Sequence, residues 1–196
     1  MATEMATVVL GLGLLLVACG ALRELDSWAR LIEGNGLVNH TSLGVGNVAS
    51  GQTVSIGSMP LCLSRAGRVR VTAVRPVDPV GPLRVTGFAV RPNPYWLGHE
   101  SGGTMLGDKI GPLTANGFGH SHIVDVACGK GDTGAGYELG LQLWRPGRAP
   151  VAASGFRVEY ESAGHRARVI LPNGVVLCPR EAGAPECERI NPMRQR

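Results

Sequence analysis

Aromatic side chains are scarce in this chain, lysines scarcer still, and charge of either sign is thin. Phe, Tyr and Trp make up 5% of the 196 residues, so any core has to rest on Val, Leu, Ile and Ala. Lys109 and Lys130 are the only lysines, and arginine carries nearly all the positive charge. The net charge of +4 is interspersed along the chain, as at Arg65, Arg68, Arg70 and Arg75. A nucleic-acid binder clusters such charge and interleaves aromatics, so no nucleic-acid partner is expected. Closely spaced cysteine pairs are missing too, which speaks against a structural zinc site.

Catalytic and nucleotide motifs fail in their context. Gly44-Val45-Gly46-Asn47-Val48-Ala49 has the glycine spacing of a dinucleotide loop, but a strand-like segment follows it, not a helix. Gly129-Lys130-Gly131-Asp132-Thr133 lacks the earlier glycine of a phosphate loop. Gly119-His120-Ser121 lacks the closing glycine of a nucleophile elbow. His99-Glu100 is not followed by the second histidine of a zinc-protease motif. No enzyme is expected on these grounds, and a hydrolase with an unrecognised site is the catalytic alternative.

What is plentiful is glycine, 29 residues, and proline, 13, spread along the chain. Turn residues between short apolar runs predict an all-β fold. Residues 52–56 alternate, and 61–63 follow a turn expected at Met59-Pro60. Residues 68–74 alternate most clearly, with Val69, Val71 and Ala73 facing the dry side and Arg68, Arg70 and Thr72 the wet side. Further strands are expected at 83–90, 122–128, 137–144, 152–160 and 166–178, the last interrupted at Pro172-Asn173-Gly174. Together they predict an immunoglobulin-like β-sandwich of about seven or eight strands. Upstream, Leu22, Leu25, Trp28, Leu31 and Ile32 recur at helical spacing and predict a short amphipathic helix ended by Gly34-Asn35-Gly36.

Five cysteines are present. Cys62, Cys128, Cys178 and Cys187 form an even set, read as two disulfides with three possible connectivities. The short loop between Cys178 and Cys187 favours that pair together with Cys62–Cys128, and Cys128–Cys178 is the rival. Cys19 closes the one long apolar run, residues 6–18, with Ala18 before it and Gly20 after it.

That ending, Leu16-Val17-Ala18-Cys19-Gly20, resembles the lipobox of bacterial lipoproteins. The resemblance covers residues 1–19 only. It implies a signal peptide over 1–18 and a lipidated Cys19; the residue pattern downstream reads as a tether over 19–42, a β-sandwich domain over 43–190 and a loose tail over 191–196. The resemblance further implies an extracytoplasmic protein held on the bacterial cell membrane by its acyl chains. An uncleaved single-pass anchor is the alternative, because residues 5–22 carry no charge.

Two groups of residues could bind something. Residues 93–120 form a Gly-rich stretch without clear period, with Tyr95 and Trp96 as candidate ligand-binding residues for an envelope protein or glycan. His120 and His122, two apart on an expected strand, could give imidazoles to Zn or Cu, with His99, Glu100, Asp125 or Met105 as a third ligand. Otherwise no cofactor is expected. The sequence thus reads as an anchored, non-enzymatic binding or accessory module, with a metal-binding envelope protein as the alternative.

Overall fold

The computed structural model describes residues 28–33, 42–93, 108–129 and 136–191. These residues are predominantly β. In chain order the strands are β1 (Leu31–Glu33), β2 (Ser42–Val45), β3 (Thr53–Leu63), β4 (Val69–Val77), β5 (Arg84–Pro92), β6 (Asp108–Ile110), β7 (Ile123–Val124), β8 (Tyr137–Trp144), β9 (Val151–Ala153), β10 (Gly155–Ser162), β11 (His165–Leu171) and β12 (Gly174–Leu177). A 3-10 turn, Leu113–Asn116, and a short helix α1, Ala184–Arg189, complete the described elements. One sheet runs β1-β3-β8-β5, with β6 also on β3. A second runs β11-β10-β4-β7, and a third β2-β12-β9. All these pairings are antiparallel except β2 with β12.

The main apolar core draws on all three sheets, and Ala89, Leu113 and Phe118 form a smaller cluster apart from it. Leu61, Leu63, Leu139, Leu141 and Leu143 come from the first, Val71, Phe156 and Val158 from the second, Val151, Val175 and Leu177 from the third. Branched aliphatic side chains fill it, as the shortage of aromatics requires. Short strands joined by turns supply them at period two.

Several local expectations are corrected. Met59-Pro60 is not a turn: β3 runs through it, with a register shift between Ile56 and Met59 against β8. Proline is tolerated there because β6 pairs only with 54–56 and β1 only with 61–63, so neither needs an N–H from Pro60. Leu31 and Ile32, expected on an amphipathic helix, lie instead on β1, paired with Leu63 and Cys62. In β4 the dry face switches parity. Glu159 pairs with Ala73 and Tyr160 with Val71, which leaves Thr72 as an extra, bulged residue. Val74, not Ala73, is therefore the next buried residue. The strand expected over 122–128 shrinks to β7 and a parallel bridge from Ala127 to Leu63.

The segment 28–33 is docked on the domain. Trp28 stacks on His165 at 5.3 Å and lies tilted against Tyr160 at 6.4 Å. The Arg30 amide donates to Ser64 Oγ at 3.0 Å, and the Ser64 amide to the Arg30 carbonyl at 2.9 Å. Ala29 fits against Gly67, where an added Cβ would lie 2.6 Å from the Ala29 methyl.

Two disulfides staple the fold. Cys62 on β3 pairs with Cys128, Cα to Cα 5.3 Å. Cys178, after β12, pairs with Cys187 on α1 at 5.9 Å. Residues 126–128 reach Cys62 because the Leu63 amide donates to the Val126 carbonyl and the Cys128 amide to the Leu63 carbonyl, each at 2.9 Å.

Among the described residues, two charged side chains are sealed at zero exposure. Arg145, just after β8, donates to the carbonyls of Val48, Gly147 and Ala149. Burial pulls its guanidinium pKa down, and the charge of Glu181 opposes that pull. Glu138, on β8, receives the Arg91 Nε and Nη2 groups of β5 on one oxygen at 2.8 and 2.7 Å.

Two stability tests follow from this wiring. Arg91→Ala removes the two N–H groups that Arg91 gives the buried Glu138 carboxylate and is expected to cost about 3–5 kcal/mol; denaturant unfolding that shows no loss would refute the pairing. The Cys62–Cys128 bond spans 66 residues and Cys178–Cys187 only 9. Paired serine replacement is expected to cost roughly 4 kcal/mol at the first and roughly 2.5 kcal/mol at the second on loop entropy, read as the order of the two unfolding midpoints.

Candidate functional site

The second sheet presents one face to the core and one to solvent. On β10, Phe156, Val158 and Tyr160 are buried, so Arg157, Glu159 and Glu161 face outward. Register carries that face across the neighbours. Arg157 lies opposite Ile170 and Arg75, Glu159 opposite Arg168 and Ala73, and Glu161 opposite Arg166 and Arg70. Directly paired residues of antiparallel strands share a face, so five guanidiniums surround two carboxylates. The surface has an excess of three positive charges.

Two of the arginines are neutralised locally. Arg75 Nε lies 3.4 Å from Glu159 Oε1, and Arg166 Nε donates to Glu161 Oε1 at 2.9 Å. Arg70, Arg157 and Arg168 make no ion pair among the described residues, and the Arg157 Nε has no hydrogen-bond partner there. The bulge at Thr72 sets Thr72 and Ala73 side by side on the outer face. A groove of about 640 Å³ opens over them, bordered by Glu159, Glu161, Arg166 and Arg168. Such a surface can hold anions by paired guanidinium N–H groups and hydroxyls by its carboxylates and Thr72.

The arginines expected to be scattered are thus brought together. Residues 68–75 supply only two of the five, and 157–168 supply the rest. The signal lies in the register between β4, β10 and β11, which no local window contains.

The histidine pair is arranged otherwise. Residues 120–122 precede β7 and are not in a strand. His120 is exposed, whereas His122 is half-buried. The His122 ring stacks on Phe88 at 4.5 Å, and its Nε2 lies 3.1 Å from the Phe88 carbonyl. Asp125 is engaged elsewhere, accepting a 2.6 Å hydrogen bond from the Tyr137 hydroxyl. Among the described residues no three His, Cys, Asp or Glu side chains converge as a metal site. Cys19, Tyr95, Trp96, His99, Glu100 and Met105 lie outside the described residues.

Compared with known proteins, the chain matches no family model and no curated protein sequence.

The Asp125–Tyr137 pair offers a direct check on this corner of the structure. The hydrogen bond to Asp125, then burial, then the Asp125 charge raise the Tyr137 hydroxyl from 10.0 to about 12, with Arg68 opposing. A raised folded-state pKa means stabilisation that is complete below the unfolded value and fades as pH climbs from about 10 to about 12. NMR titration of the tyrosine ring carbons is expected to show Tyr137 ionising near pH 12, and at a lower pH in Asp125→Asn, where burial alone still raises it.

Proposed function

We propose that this chain is a bacterial cell-envelope lipoprotein, cleaved before Cys19 and held on the membrane by acyl chains on that cysteine. It works there as a non-enzymatic binding or accessory module for an envelope partner. The cysteine pattern carries the reading. Four of the five cysteines pair inside a β-rich domain, and disulfides persist outside the reducing cytoplasm. The fifth stands at the lipobox-like end of the apolar run.

The domain behind the anchor is read as a sandwich of immunoglobulin-like character. Sheets that share one aliphatic core and alternate wet and dry residues support it. Diacyl or triacyl modification suits the anchor, since one chain alone gives marginal binding and stable attachment takes two signals. The positively charged sheet face is a surface that envelope polymers of opposite charge would meet.

Mass spectrometry of the protein extracted from membranes tests the anchor. The expected species begins at Cys19 and carries the added mass of acyl chains. A chain that begins at Met1 or Met5 without them would refute the lipoprotein reading.

A further inference from the structure

We propose that the outer face of the β4–β10–β11 sheet binds an anionic glycan. The ligand is a polyhydroxylated chain whose carboxylates are separated by neutral sugar units. The inference deepens the binding-module reading above and rests on it, but it does not depend on lipid attachment.

Three observations select this ligand. First, the charge is sparse and patterned. With strands about 4.8 Å apart and residues about 3.4 Å apart along them, the register puts the backbone positions of Arg157 and Arg168 about 8 Å apart. On the same spacing Arg168 and Arg70 are about 12 Å apart. Duplex DNA carries one charge per about 1.7 Å of axis; a polymer that dense would set phosphates against Glu159 and Glu161. Single carboxylates with neutral units between them can reach the three unpaired arginines and leave the glutamates facing hydroxyls.

Second, among the described residues the face offers no exposed ring for stacking: Phe156 and Tyr160 of β10 are buried, although Tyr160 contributes to the groove lining. Single-stranded nucleic acid would find guanidiniums but no rings for its bases. Third, the face is poor in apolar surface. Ile170, 52% exposed, is its one exposed large hydrophobic residue among those described. A sheet that entered lipid would need a broad apolar contact as well as positive charge.

The groove completes the match. Thr72 and Glu159 border the same open space as Arg168, so a hydroxyl, a carboxylate and a guanidinium serve one groove. A sugar seated there would donate hydroxyls to Glu159 and Glu161, while its carboxylate met Arg168 by a paired, charge-assisted hydrogen bond.

The test uses the full chain, purified in mild detergent, with a hyaluronate decasaccharide as the probe. Isothermal titration is expected to show binding that weakens as salt rises. The double variant Arg70→Gln/Arg168→Gln is expected to weaken it at least tenfold, while Arg148→Gln, away from this sheet, leaves it unchanged. Both arginines are exposed, and an unchanged circular dichroism spectrum certifies the fold. Should the double variant not fold, Arg168→Lys gives the same decision by a smaller loss, because an ammonium keeps the charge but not the paired geometry. No binding of the decasaccharide, or binding indifferent to salt and to both variants, overturns the proposal. So does tighter binding of a thymidine oligonucleotide or of phosphatidylglycerol vesicles that the same double variant abolishes. In those last two outcomes the face still binds and only the ligand class fails. If no probe binds, the binding-module reading fails at this face as well.

Discussion

A carboxylate closed off from water has to find a cation, and the middle of the first sheet is arranged around that requirement. Glu138 sits at zero exposure on β8, directly across from Arg91 on β5. Arg91 does three things at once. It pairs with Glu138, it donates to the Asn116 carbonyl at 3.1 Å, and it lies over the Phe118 ring at 4.3 Å. The ion pair therefore fastens the 113–118 turn onto the back of the sheet. Leu113 and Phe118 then cover Gly140, where a Cβ would lie 2.6 Å from the Phe118 ring. With Leu139, Leu141 and Leu143 on the other side in the main core, β8 is dry on both faces over its central residues. In so low a dielectric either member of the pair alone is expensive, and together with their hydrogen bonds they are tolerable.

From that strand the order spreads outward. The chain leaving the covering turn reaches His122, which packs on Phe88, and then 126–128, which hydrogen-bond to β3 and bring Cys128 to Cys62. At the far end of β8, Arg145 ties the residues before β3 and the turn after β8 through backbone carbonyls. A buried guanidinium with three carbonyl acceptors acts as a fixed node in place of a turn hydrogen bond.

What could be read from the letters alone was governed by distance along the chain. Strands β4, β8 and β10 show their period directly, because alternation is local. The Cys178–Cys187 loop is short enough to suggest itself. Pro60 in β3 and the bulge at Thr72 were hidden, since each depends on what a neighbouring strand does at that point. Leu31 and Ile32 fit a helical spacing and a strand equally in so short a window, and pairing with Leu63 and Cys62 decided it. Glu138 alternates with the core leucines of β8 and lies on the other face of the sheet, where the covering turn makes it dry. The arginine-rich face was invisible for the same reason. Its members lie up to about a hundred residues apart, and register alone collects them. In the histidine pair, nearness in sequence says nothing of packing: His122 stacks on Phe88 while His120 stays exposed.

The docked segment 28–33 fixes how far the domain can stand from whatever holds its N-terminal side. From Cys19 to Trp28 the chain has nine steps, and an extended chain covers at most about 3.6 Å per step, so the leash is no longer than about 32 Å. Trp28 is pinned beside His165, at the start of β11 and one residue from Arg166. On the lipid-anchored reading, the arginine face would hang by its own edge just above the headgroups. It would sample a shallow layer next to the bilayer rather than reach across the envelope, and any polymer it met would have to come down to it.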